Sequence, residues 1–238
     1  MFFQYPPLQQ GTLLRRYKRF MADIELDSGE RITAHCPNTG PMTGVCTPGY
    51  RVAVSISNNP KRKYAYTWEL IEVVDPVPTW VGVNTSLPNR LVKLALQQQL
   101  IPEVAGYDQI ETEVPYGKEN SRIDFRLISP QSDRPDLYLE VKNTTWAQGS
   151  VALFPDTVTT RGQKHLRELM ALLPEYRSVL LYFINRGDCS TFAPGDSADP
   201  VYGQLLRTAI EQGLEVLPCR FRISLEGVSY LGLADLQV

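Results

Sequence analysis

Histidine is almost missing from this chain: His35 and His165 are the only two in 238 residues. With no second histidine near it, His35 is not read as part of a metal site. Cysteine is scarce too. Cys36, Cys46, Cys189 and Cys219 form no C-x-x-C pair, which argues against zinc and for reduced core thiols. No apolar run approaches the roughly 18 residues of a membrane span. The opening Met1-Phe2-Phe3-Gln4-Tyr5-Pro6-Pro7 lacks a basic segment leading into an apolar run, so no signal peptide is expected and the cytoplasm is the expected location. There is no glycine-rich phosphate loop, no internal repeat and no low-complexity tail.

Charge of one sign is missing only in sum. The net charge is -2, but residues 1–63 carry about +5 and the remainder about -7. A basic first part beside an acidic remainder points to the first part meeting a polyanion, chance variation of surface charge being the plain alternative. The length suits one large domain or two modest ones.

Residues 1–83 read as a small barrel. Strands are expected over Gly11–Leu26, Arg31–Ala34, Tyr50–Ser57, Tyr64–Val74 and Trp80–Val83, with Asp75-Pro76-Val77-Pro78 as a break near the domain boundary. Val52, Val54 and Ile56 are expected to share one face. Two segments interleave bases with aromatics, Tyr17-Lys18-Arg19-Phe20 and Lys61-Arg62-Lys63-Tyr64-Ala65-Tyr66. Such segments neutralise phosphates and stack on bases. In a strand only half of each cluster lines one groove. Phe20 and Trp68 are therefore assigned to the core, and Lys18, Arg19, Lys61, Arg62 and Lys63 to the phosphates of a nucleic acid.

Residues 84–238 read as an α/β domain. A helix over Thr85–Leu100, capped by Thr85 or Ser86, precedes a strand over Ile110–Tyr116. Trp146–Phe154 is expected to continue the sheet. A second helix starts at Thr159 or Thr160 and runs to Leu173 with Leu166, Leu169, Met170 and Leu173 inward. Gly162 then allows close approach to the sheet, while Arg161, Lys164 and His165 spread over the outer face. A basic first turn opposes the helix dipole, and a bound phosphate would explain it. Strand, helix and strand over Arg177–Asn185, Pro200–Gln212 and Leu214–Ser224 complete the domain.

The chemistry concentrates in residues 121–142. Ile123, Phe125 and Leu127 alternate with Arg122, Asp124 and Arg126; Leu137, Leu139 and Val141 alternate with Tyr138, Glu140 and Lys142. This is a β-hairpin. Folding it about Ser132 sets Asp124 opposite Glu140, their Cβ atoms about 5 Å apart. Lys142 shares that face. Opposed carboxylates repel, and a hard divalent cation would relieve them. The same spacing also fits a solvated face carrying a Glu–Lys pair.

Asp124 followed by Glu140-Val141-Lys142 resembles the D-x(n)-E-x-K signature of restriction-endonuclease-like nucleases. The Pro-Asp of that superfamily's name occurs as Pro135-Asp136, but Asp136 lies about 13 Å along the strand from Glu140. Over nearly its whole length the chain resembles the sugar fermentation stimulation protein family. The matching segments include His35-Cys36-Pro37-Asn38-Thr39-Gly40, Thr67-Trp68-Glu69-Leu70, Asn89-Arg90-Leu91, Ser121-Arg122-Ile123-Asp124-Phe125, Glu140-Val141-Lys142, Phe154-Pro155-Asp156 and Arg161-Gly162-Gln163-Lys164-His165-Leu166. The resemblance implies an OB-like β-barrel, then a restriction-endonuclease-like α/β domain with a central mixed sheet. It implies DNA binding, with magnesium or manganese held by Asp124 and Glu140 and water positioned by Lys142. It also implies Gln163 beside the active site, with Arg161 and Lys164 on DNA. Leu94 stands where a third ligand, glutamate, is expected; Glu113 is the substitute candidate. Leu94 favours the alternative of a non-catalytic, regulatory DNA-binding protein on a vestigial nuclease fold. No residue pattern supports a sugar-metabolising enzyme.

Overall fold

The computed structural model describes residues 1–74, 77–117 and 121–238. Asp75 and Pro76, half of the expected break at the domain boundary, lie outside the described residues.

Strands β1 (Gln9–Tyr17), β2 (Met21–Leu26), β3 (Arg31–His35), β4 (Arg51–Ile56) and β5 (Tyr66–Val74) form a closed barrel. β1 pairs antiparallel with β2 and β4, β2 with β3, and β4 with β5; a parallel β3–β5 pairing closes the ring. This is the OB arrangement. Leu13, Ile24, Val52, Val54, Trp68 and Ile71 point inward, the three-residue step from Trp68 to Ile71 being carried by the bulge opposite Ala53 and Val54. Gly11 permits the approach of β1 to β2, since a Cβ there would lie 2.4 Å from the Glu25 carbonyl oxygen. Strand β6 (Pro78–Gly82) adds to the edge of β5.

Two expectations about the barrel fail. Lys18 and Arg19 are not in a strand but form a tight turn with positive φ, 48° and 67°. The turn throws Phe20 outward, 45% exposed rather than core. Ile56, the last residue of β4, is 46% exposed as well, although Val52 and Val54 before it stay in the core.

The second unit contains α1 (Pro88–Gln97), β7 (Gln109–Tyr116), β8 (Ser121–Ile128), β9 (Leu137–Thr144), α2 (Thr160–Met170), β10 (Arg177–Ile184), α3 (Pro200–Glu211), β11 (Glu215–Ile223) and β12 (Gly227–Leu233). Its mixed sheet runs β12-β11-β10-β9-β8-β7, with β9, β10 and β11 parallel and the rest antiparallel. On one face α1 packs Leu91 and Val92 against Leu139, Val141 and Phe183. On the other, α2 and α3 pack Leu166, Leu169, Tyr202 and Leu206 against Tyr138, Tyr182 and Ile184.

Several boundaries differ from expectation. Phe3–Gln4 leaves the barrel and pairs with the outer edge of β12, so residues 1–83 are not all barrel. Trp146–Phe154 does not continue the sheet. Ala147–Gln148 and Val151–Phe154 form a separate small sheet with Thr191–Pro194 and Asp235–Leu236. Neither Thr85 nor Ser86 caps α1; the Thr85 hydroxyl donates to the Pro37 carbonyl and Ser86 bonds Asn84, while Pro88 opens the helix.

The barrel keeps a core of its own, but two of its residues reach across to the second unit. Ala53 and Leu70 of the barrel belong to the apolar cluster beneath α1. The Gly82 amide donates to the Asn185 carbonyl at 3.0 Å. Among the described residues, no helix is long and apolar enough to cross a membrane.

Candidate active site

The β8–β9 hairpin takes the register read from its alternation: Leu127 faces Leu137, Arg126 faces Tyr138, and Phe125 faces Leu139. The ladder stops one pair short of Asp124 and Glu140. From there β9 continues only beside β10, as far as Thr144. On the other side of β8, Glu113 adopts φ 55° and the pairing passes from Thr112–Phe125 to Val114–Ile123. A non-glycine residue in that region marks an irregular strand. Asp124 therefore sits where the ladder is interrupted on both sides. Ile123 accordingly joins the cluster on the α2 side, away from Phe125 and Leu127.

The freed carboxylate of Asp124 finds other donors. Its Oδ2 accepts the Val141 amide at 2.7 Å, and its Oδ1 accepts Asn89 Nδ2 from the first turn of α1 at 2.6 Å. Burial, then the charge of Glu140, pushes its pKa up to about 6 against the pull of those donors and Lys142.

Glu140 is 3% exposed. Its Oε1 accepts Lys142 Nζ at 2.7 Å and contacts His165 Nδ1. Burial works to raise its pKa, but Lys142 and His165 outweigh it and hold the carboxyl below its ordinary value. Its Oε2 has no partner among the described residues.

His165, expected on the outer face, is 4% exposed. Gly162, His165, Leu166 and Leu169 form the buried face of α2, at helical spacing of three and four. That spacing was available in the sequence, and reading the histidine as merely polar concealed it. Arg161 Nε donates to His165 Nε2 at 3.4 Å, so the network assigns the ring proton to Nδ1, toward Glu140. Lys142 Nζ lies 3.1 Å from Nδ1.

Beside His165 opens a cleft of about 310 Å³ lined by Glu113, Ser121, Arg122, Arg161 and Lys164. It carries three cationic side chains against one carboxylate. Gln163 is not in it. Both oxygens of Asp199, the cap of α3, accept Gln163 Nε2 at 3.0 Å, so this glutamine braces α3 and does not reach the carboxylates. Gly162 likewise serves α3 rather than the sheet: a Cβ there would lie 3.0 Å from a Tyr202 ring carbon. Leu94 is half-buried on α1. Glu113 lines the cleft, but among the described residues no three His, Cys, Asp or Glu side chains form a metal-holding group. The Glu113 substitution for a third ligand is therefore not found. Asp136 is taken by Arg126 at 2.6 Å.

The barrel bases cluster elsewhere. Lys18 and Arg19 are exposed on the β1–β2 turn, and Lys61, Arg62 and Lys63 on the loop before β5. Tyr64 Oη contacts Met21 Sδ at 3.6 Å, which ties that loop to that turn. Arg19 Nε also donates to the Thr39 carbonyl at 3.1 Å.

The oxygens present suit a hard divalent ion. Glu140 is deeply buried and Asp124 half-buried; Glu140 has an unpartnered oxygen, and its charge contributes to the raised pKa of Asp124. Each Asp124 oxygen keeps a second lone pair beyond the donor it holds.

Residues 14–83 match the family model for the SfsA N-terminal OB domain, and residues 86–227 match that for the sugar fermentation stimulation protein RE domain. The chain belongs to the sugar fermentation stimulation protein family. The family homolog from Cyanothece sp. is 71% identical over 234 residues, 98% of this chain and 97% of that protein. The homolog from Synechococcus elongatus is 70% identical over 236 residues, 99% and 98% of the two chains. The solved structure of Pyrococcus furiosus SfsA in complex with Ca2+ superposes with a TM-score of 0.88 at 23% identity, covering 100% of this chain and 99% of that one. That likeness shows the fold. The family's two-domain plan, OB barrel then mixed α/β sheet, is the plan found here.

Proposed function

We propose that this protein binds DNA and hydrolyses its phosphodiester bonds with magnesium or manganese. The observation that carries the reading is His165, which touches the buried Glu140 and also lines the basic cleft. A charged, partly unsatisfied carboxylate pair thus lies directly behind a surface that attracts phosphate.

Asp124 and Glu140 would hold the ion, which when bound supplies an acidified water and neutralises charge developing on phosphate. Lys142, fixed at 2.7 Å from Glu140, would orient the attacking water or a phosphate oxygen. Arg122 and Arg161, with Lys164, would hold flanking phosphates in the cleft. His165 would keep Glu140 ionised and in place. Lys18, Arg19, Lys61, Arg62 and Lys63 on the barrel would track the backbone of the same DNA. Calcium in the Pyrococcus furiosus relative supports a hard cation in this fold.

The test is cleavage of plasmid and single-stranded DNA in magnesium and in manganese, with Glu140→Gln and Lys142→Ala as controls. Cleavage by the wild type and not by either variant is expected. No cleavage in either metal, together with no effect of either metal on melting, would favour the second reading, a non-catalytic DNA-binding protein. Leu94 on α1 and the lack of a third acidic ligand among the described residues favour that alternative.

A further inference from the structure

Two segments singled out by resemblance, residues 35–40 and Phe154-Pro155-Asp156, play no part in the carboxylate site, and neither does the Asn143–Trp146 stretch that follows Lys142. They meet between the barrel and the second unit. There they enclose a cavity of about 110 Å³ lined by Asn38, Asn143, Thr144, Trp146, Phe154 and Asp156, among others. One water needs only about 10–15 Å³ of such space, so the cavity is sized for a ring rather than a solvent molecule.

Its chemistry is specific. The lining offers amides, hydroxyls, two aromatic side chains and one carboxylate, and it contains no lysine or arginine. An anion is disfavoured, and a neutral polar ring is suited. Thr144 is 1% exposed, and its hydroxyl has no hydrogen-bond partner among the described residues. A buried hydroxyl without a partner costs stability, so its presence points to a ligand atom. Trp146 is held by its neighbours: a Cβ on Gly195 would lie 2.9 Å from its ring, so only glycine there leaves the indole in place.

Position identifies the ligand. Thr144 follows Lys142 by two residues on β9, on the same face and about 7 Å along the strand. A single nucleotide spans that separation between its phosphate and its base. We propose that the cavity takes a nucleobase, turned out of the strand, of a nucleotide whose phosphate lies at Lys142; this rests on the DNA reading above. The substrate is then single-stranded DNA, or duplex DNA from which one base is extruded, since a stacked and paired base cannot enter a recess between two domains.

The experiment follows fluorescence of the full-length protein, with Trp146→Phe subtracted. Its probes are thymidine and deoxyguanosine monophosphates, deoxyribose 5-phosphate, glucose, and a single-stranded 12-mer with or without its bases. Saturable, Trp146-dependent change with the nucleotides and the intact 12-mer, but not with deoxyribose phosphate, is expected. Thr144→Val should weaken nucleotide binding about fivefold, one hydrogen bond's worth, without lowering the melting temperature. Equal response to deoxyribose phosphate, response to glucose alone, or no Trp146-dependent response overturns the proposal. If mononucleotides bind but no oligomer does, the cavity assignment stands and the DNA reading fails. If both 12-mers bind equally and mononucleotides leave Trp146 unchanged, the DNA reading stands and the cavity assignment fails.

Discussion

Glu140 Oε1 meets His165 Nδ1 inside the protein, one from the central strand β9 and the other from α2. The pair joins sheet to helix, with both side chains almost fully buried. Removing one partner leaves the other buried with less compensation. His165→Ala should lower stability by about 1–3 kcal/mol, measured by urea unfolding at neutral pH. It should also reduce any cleavage, while DNA affinity stays close to wild type. Unchanged stability would mean that Lys142 alone satisfies Glu140.

Asp124 has the opposite effect on the fold. Its pKa is about 6 when folded against 3.8 when exposed. Between these values the folded state holds the proton more tightly than the unfolded state, so stability falls as pH rises from about 4 to 6 and is flat above. The expected loss is on the order of 3 kcal/mol at most. In Asp124→Asn that fall should vanish from chemical unfolding curves run across this range in chelator. A wild-type profile that instead rises through pH 4–6 by a similar amount would contradict the assignment.

Magnesium should counter that penalty. Millimolar magnesium or manganese is expected to raise the melting temperature and release protons on binding. Asp124→Asn should abolish the rise. Lys142→Ala should keep it and yet lose cleavage, because the lysine serves water and phosphate rather than the ion. Cleavage that persists in Lys142→Ala would place the chemistry elsewhere.

DNA affinity should fall steeply with salt, because the assigned contacts are to phosphates. Changing Lys61, Arg62 and Lys63 together to alanine should flatten the slope of log affinity against log salt by roughly two to three and weaken binding to every sequence alike. Filter binding or anisotropy at several salt concentrations measures it. Normal binding by the triple variant would remove the barrel loop from the interface.

Leu70 tests the joint between the domains. It lies on a barrel strand, is fully buried, and belongs to the cluster beneath α1. Leu70→Ala should cost about 2–5 kcal/mol and lower a single calorimetric transition rather than one of two. Two resolved transitions in the wild type would show that the domains melt independently.

What the sequence by itself determined is whatever depends on local periodicity. Period-two alternation located the hairpin at residues 121–142 and set its register, because moving a strand by one residue turns its apolar side chains to water. The barrel strands, the two carboxylates and Lys142 were legible for the same reason. Only the tertiary structure decided the remainder. The tight turn at Lys18 and Arg19 looks like strand in composition. Phe3–Gln4 finds its partner at Val228 and Gly227, at the other end of the chain. His165 reads as a polar residue on a basic helix until the helix is laid on the sheet and the ring meets Glu140. Gln163 turns instead to Asp199, 36 residues away. The cavity between the domains draws on segments more than 100 residues apart, from Asn38 to Asp156. Contacts of that range depend on how elements pack, and no repeat in the sequence encodes them.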